Sequence, residues 1–212
     1  TGVPDLLSFP QLVKSGGGQG VTVHPRPDQR HIRFDDVPAL AGAIAAWRPA
    51  FEYNIEGRPD SAFLDLVAAV RPEQCTLVPD TDAAFTSEKG WDLTDEEIEA
   101  LEAPIKRLKS VGTRVILFVD PVPAIAERVA AAAADGLEIY TGAYAMAHKT
   151  GNARALLAAI RELGQAAKAR GLVVNAGHDL NLANIPALLE AVPHLHEASI
   201  GHELTADALV HG

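Results

Sequence analysis

Short runs of β-branched and aliphatic residues recur along the chain, each followed by a stretch with helical periodicity. The strand-like runs fall at 20–24 (GVTVH), 51–56 (FEYNIE), 74–79 (QCTLVP), 114–120 (RVILFVD), 137–141 (LEIYT), 172–176 (LVVNA) and 197–201 (EASIG). Most are rich in Val, Ile, Leu and Thr, the pattern of strands buried on both faces. Helical periodicity is clearest over 61–70, 95–111, 122–134, 152–169 and 185–191. Asp60 or Ser61 is placed to cap the first of these helices. The segment from Asp95 starts acidic and ends with Lys106, Arg107 and Lys109, the order that the helix dipole favours.

Strand–helix alternation predicts a parallel sheet in an α/β fold. The strands are evenly spaced and no break in composition divides the chain. This favours a single (β/α) barrel domain over 1–212, a (β/α)8 TIM barrel whose first strand is missing from this chain. The opening segment 4–17 (PDLLSFPQLVKSGG) reads as the helix that would follow that strand. A doubly wound open sheet is the alternative. Gly16, Gly17, Gly18 and Gly20 precede a strand and read as a turn from helix to strand. The polar stretch 80–92 follows a strand's C-terminal end, where either a barrel-mouth loop or a solvated surface loop fits.

Composition narrows the function classes. With 48% hydrophobic and 22% charged residues, 212 residues make a folded domain rather than a disordered chain. A net charge of −10 argues against nucleic acid as a partner, since phosphate backbones are held by clustered Lys and Arg. A small anion can still be held by a few backbone N–H groups. The single cysteine, Cys75, forms no internal disulfide or Cys-based zinc site, and fits a reducing cytoplasm. No apolar run approaches the roughly 18 residues of a membrane span, and no signal-peptide pattern opens the chain.

In a barrel the active site gathers at the C-terminal strand ends, so those residues carry the functional reading. They are His24, with Arg26, Arg30 and His31 behind it; Asn54 and Glu56; Glu138 with Thr141; Asn175 to His178; and Gly201-His202. Histidine titrates near neutrality and a partly buried Glu can be raised toward it, so this set suits proton transfer. Glycine-rich ends let backbone N–H groups approach a ligand, and Arg26 and Arg30 can bind an anion.

Other chemistries lack their signatures. The eight histidines include no His-Glu-x-x-His run, and no metal is expected. His194 and His196 precede a strand and belong to the far end of the barrel. No Gly-x-Gly-x-x-Gly follows a strand, Gly-x-Ser-x-Gly is absent, and no strand end carries the lysine of a Schiff-base aldolase.

The same strand ends resemble a known family. GVTVHPRPDQRHI, the NIE of residues 54–56, LVPD with Thr86 and Gly90, EIYTGAYA, VNAGHDLN and SIGHEL resemble, in order, the motifs of the pyridoxine 5′-phosphate synthase family. They cover nearly the whole chain. The resemblance implies condensation of 1-deoxy-D-xylulose 5-phosphate with 3-amino-2-oxopropyl phosphate, giving pyridoxine 5′-phosphate, inorganic phosphate and water, without a cofactor. It implies His24 and Glu56 as proton acceptors, His178 as proton donor and Glu138 as a stabiliser of charged transition states. Arg26, His31 and Thr86 would contact substrate, and Gly201 with His202 would hold phosphate. Asp179 stands in this substrate-binding set where many family members have glycine. The resemblance also implies a homo-oligomer, an octamer in the family. The alternative function is a catalytically impaired barrel of the same fold that binds phosphate ligands.

Overall fold

A computed structural model describes residues 5–80 and 87–211. In chain order they form α1 (Phe9–Ser15), β1 (Gly20–Val23), α2 (Asp36–Ala43), β2 (Glu52–Gly57), α3 (Ser61–Val70), β3 (Gln74–Leu77), α4 (Asp95–Ser110) and β4 (Arg114–Val119). Then follow α5 (Ile125–Ala131), β5 (Gly136–Tyr140), α6 (Gly142–Lys149), α7 (Arg154–Ala169), β6 (Val173–Gly177), α8 (Ile185–Ala191), β7 (Glu197–Ser199) and α9 (His202–His211). The strands are ordered β1-β2-β3-β4-β5-β6-β7. A doubly wound sheet reverses its order at a switch point, whereas a (β/α) barrel does not. The fold is therefore of the (β/α) barrel class, with seven strands among the described residues.

By packing, the chain divides into two compact units, Thr1–Phe85 with Ala103–Val115 and Thr86–Glu102 with Ile116–Gly212; α4 and β4 run through the division. In the first unit, β1 pairs with β2 in the register Thr22↔Asn54, and β2 with β3 in the register Asn54↔Gln74. Side chains alternate between strand faces. Tyr53, Ile55 and Gly57 of β2 face the helical layer, where Phe63 lies so close to Gly57 that a Cβ there would meet its ring at 2.4 Å. The buried Tyr53 hydroxyl is satisfied by donating to the Val37 carbonyl at 3.1 Å. Asn54 and Glu56 are left on the opposite face. Asp60 caps α3, accepting from the Phe63 N–H at 2.9 Å, as the sequence predicts.

The N-terminal ends of these strands carry an ionic network. Arg48 donates to Glu73 at 2.9 and 3.0 Å, Glu73 also accepts from the Tyr53 N–H at 2.9 Å, and Arg114 bonds Glu52 at 2.5 Å and Gln74 at 2.9 Å. This end is a stability device, opposite the ends where barrel chemistry sits.

In the second unit, β5 and β6 pair in the register Glu138↔Asn175 and Tyr140↔Gly177, and β6 and β7 in the register Gly177↔Ser199. Leu137, Ile139, Val174 and Ala176 are fully buried core residues. Thr94 and Glu97 form a reciprocal capping box at the start of α4, with bonds of 3.3 and 3.0 Å. His194 Nε2 donates to the Gly164 carbonyl at 2.9 Å, and the His196 N–H donates to the Val174 carbonyl, so both sit at the strand's N-terminal end as expected. Among the described residues no helix is long and apolar enough to cross a membrane.

Two helices have no counterpart in the sequence analysis: α2, whose signal Pro38 and Gly42 break, and α6, which starts directly after the fifth strand-like run.

Two glycines make opposite demands. A Cβ at Gly90 would fall 2.3 Å from Val119 Cα and 2.4 Å from Asp120 N, both backbone atoms that cannot rotate away. Gly42 lies inside α2 with nothing within 4 Å of such a Cβ. In urea unfolding, Gly90→Ala should lose about 1–3 kcal/mol through overpacking, while Gly42→Ala should gain about 0.5–1 kcal/mol.

Candidate active site

Strand pleating places the first cluster, which lies wholly in the unit of β1 to β3. His24 directly follows β1 and shares a face with Thr22, and Glu56 shares a face with Asn54. The Thr22↔Asn54 register therefore sets His24 beside Glu56, Nδ1 to Oε1 3.5 Å, with their side chains 20% and 16% exposed. Beneath them Asn54 Nδ2 donates to Thr22 Oγ1 at 3.3 Å and Thr76 Oγ1 at 3.1 Å, a polar rung that fixes the strand spacing. Arg26 is buried, its guanidinium 3.0 Å from the Asp80 carboxylate. An open cleft of about 280 Å³ is lined by His24, Arg26, Phe34, Arg58, Asp60 and Asp80, among others.

Burial dominates the electrostatics here. It drives the His24 imidazole down to about 4, helped by the Arg26 guanidinium and opposed by Asp80. At neutral pH His24 is therefore uncharged, with a lone pair free to take a proton. Burial pushes Glu56 up to about 7, Asp80 adding and Arg26 opposing, so near neutrality both its forms are populated. The 3.5 Å contact is thus better described as imidazole to carboxyl than as an ion pair. Burial also raises the Cys75 thiol, which stays protonated and is no nucleophile.

The Pro25↔Ile32 bridge folds the segment after β1 back on itself. His31 is exposed on this segment, and with Arg30 it adds to the positive field that depresses His24. Arg30 is itself held 3.2 Å from Asp28.

The second cluster lies wholly in the unit of β5 to β7. Glu138 is 4% exposed, and its carboxylate occupies the space above Gly177, where a Cβ would fall 2.2 Å from Oε1. Beyond Gly177 the chain makes a turn with two consecutive positive φ angles, 89° at His178 and 56° at Asp179. Non-glycine residues enter this region at a cost, and such strain is held only where neighbours over-determine it. Here Thr141 Oγ1 reaches the Gly177 and His178 carbonyls, each at 2.6 Å, and Asn184 Nδ2 donates to the Asp179 carbonyl at 2.9 Å.

Gly201 and His202 are exposed at the start of α9, and a Cβ on Gly201 would meet nothing within 4 Å. His202 Nε2 lies 3.5 Å from Asp179 Oδ1 and 3.6 Å from Glu203 Oε1. The potential ligand atoms of Asp179, His202 and Glu203 all fall within 4.8 Å of one another, as a cation site would require. Lys149 Nζ already stands 3.5 Å from Glu203 Oε1 and supplies positive charge there.

Of the residues picked out by sequence, His24 meets Glu56, and Asp179 meets His202. Thr86 lies outside the described residues. Asp80, the last residue of the LVPD motif, has no role in the sequence analysis, yet it is the partner of Arg26. Tyr140 of the EIYTGAYA motif likewise has no role there, although it lies two positions beyond Glu138 on β5 and so on the same face.

Comparison with known proteins gives the family of the chain. The family described as "Pyridoxal phosphate biosynthesis protein PdxJ" matches residues 1–212. The pyridoxine 5′-phosphate synthases of Brucella suis and Brucella abortus are each 47% identical to the chain over 210 residues, covering 99% of it and 85% of their own length. The enzyme of the same name from Brucella anthropi is 46% identical over the same span. Two solved structures share the fold at low identity. A HpcH/Hpal aldolase/citrate lyase family protein from Burkholderia cenocepacia has a TM-score of 0.65 at 14% identity, covering 96% of this chain and 88% of its own. The YdjI aldolase from Escherichia coli has a TM-score of 0.65 at 10% identity, covering 97% and 73%. The chain belongs to the PdxJ family of pyridoxal phosphate biosynthesis proteins, the family of pyridoxine 5′-phosphate synthases.

Proposed function

We propose that the chain condenses 1-deoxy-D-xylulose 5-phosphate with 3-amino-2-oxopropyl phosphate, giving pyridoxine 5′-phosphate, inorganic phosphate and water by acid–base catalysis. The observation that carries this reading is the His24–Glu56 pair, one group uncharged at neutral pH and the other poised near its midpoint. Schiff-base formation, dehydration and ring closure all move protons among carbon, nitrogen and oxygen, and efficient acid–base groups titrate near the working pH.

In this reading His24 and Glu56 accept protons, and His178 donates one to the departing oxygen. Glu138 presents its carboxylate to the cationic intermediates of imine chemistry. Arg26, held by Asp80 at 3.0 Å, contacts a phosphorylated substrate, as do His31 and Thr86. Gly201 and His202, at the start of α9, receive phosphate, since free N–H groups of a helix start attract anions. Asp179 orients His202 from 3.5 Å. We place the enzyme in the cytoplasm as a homo-octamer, a size that light scattering measures directly.

His178→Ala should lose turnover by about 10²–10⁴-fold while still binding both ketone phosphates; equal turnover would remove His178 from the mechanism. Glu56 must be ionised to accept a proton, so kcat/KM should fall as pH drops through about 7. His24, pushed down to about 4, adds no loss until far lower pH. A pH profile flat from 6 to 8 would contradict the role of Glu56. Gly201→Ala should leave unfolding unchanged, its Cβ meeting nothing, yet raise KM for one phosphorylated substrate.

A further inference from the structure

The His178 ring does not stand alone. The Tyr140 ring meets it edge to face, centroids 5.1 Å apart at 78°, and the Phe118 ring lies 5.7 Å away at 49°. Phe118 and Tyr140 also touch each other, at 5.7 Å and 60°, so the three rings form one closed set. Perpendicular contact sets the positive edge of one ring against the negative face of another, which favours a definite tilt.

Each member of the set is anchored. Phe118 is fully buried on β4. Tyr140 is pinned against α6, where any side chain on Gly142 would run into its hydroxyl at 2.3 Å and its ring at 2.5 Å. Burial, with Asp179, Glu88 and Asp120 nearby, raises the Tyr140 hydroxyl, so it stays an uncharged phenol. Beneath His178, the Thr141 hydroxyl shares its single proton between two carbonyls and fixes the strained turn. The backbone thus sets where the imidazole starts, and the two rings set where it points.

We propose that Tyr140, backed by Phe118 and seated on Gly142, is a positioning residue for His178, holding the imidazole in the orientation that delivers its proton. This rests on the reading of His178 as proton donor. The contact needed is the ring and not the phenol oxygen, so phenylalanine should serve and an aliphatic side chain should not. Angular misplacement of a catalytic group reduces the chemical step without weakening substrate binding.

The test combines ring NMR and kinetics on the intact protein. In the wild type, the imidazole proton signals that vanish in His178→Gln should be displaced by the ring currents of their neighbours. In Tyr140→Leu those signals should move toward ordinary histidine positions, while kcat falls by about tenfold to a hundredfold with both KM values held. Tyr140→Phe should keep the displaced signals and a kcat within about twofold of wild type. Phe118→Leu should give a smaller change of the same kind if Tyr140→Leu does not fold. Undisplaced His178 signals in the wild type, an unchanged kcat in Tyr140→Leu, or a change in KM alone would each overturn the proposal. Full turnover in His178→Gln would instead overturn the reading of His178 as donor, whatever its ring signals show.

Discussion

The two-residue repeat of a parallel strand is the constraint from which the site follows. On β2 it sends Tyr53 and Ile55 into the helical layer and leaves Asn54 and Glu56 on the other face; on β5 it pairs Glu138 with Tyr140 in the same way. A slip of one residue would bury Glu56 against Phe63 and turn Ile55 toward His24. The register is protected by interactions remote from the chemistry. The Arg48–Glu73 and Arg114–Glu52 bonds tie down the N-terminal ends of the strands, and the rung of Thr22, Asn54 and Thr76 fixes their spacing just beneath the His24–Glu56 pair.

The same burial that stabilises the strands tunes the groups at their ends. His24 and Glu56 have little water around them, and each is driven toward its uncharged form, the histidine downward and the carboxyl upward. Arg26 and Asp80 then modulate both, in opposite senses. A fully solvated pair in the same geometry would form an ordinary ion pair, with histidine charged and unable to accept a proton. Partial exclusion of water is therefore what makes this pair suited to proton transfer near neutral pH.

Much of this could be read from the sequence, because strand periodicity and strand-end chemistry are local. All seven predicted strands appear within about two residues of their expected limits, and α3 and α8 begin and end as predicted. What escaped was information carried by packing. Asp80 matters only because Arg26 turns back toward it, and Tyr140 and Phe118 matter only because the His178 turn carries the imidazole onto their rings. The positive φ of His178 and Asp179 had no sequence signal, since neither is glycine; Thr141 and Asn184 hold the turn from elsewhere in the chain.

The most direct measurement is the formation of pyridoxine 5′-phosphate by the full-length protein, followed by absorbance and mass. Acid–base condensation at this site predicts product only when both ketone phosphates are present, with inorganic phosphate released in equal amount. A folded protein that binds either phosphate but forms no product from the two together would contradict the account, and would mark the chain as a binding protein on the scaffold of an enzyme.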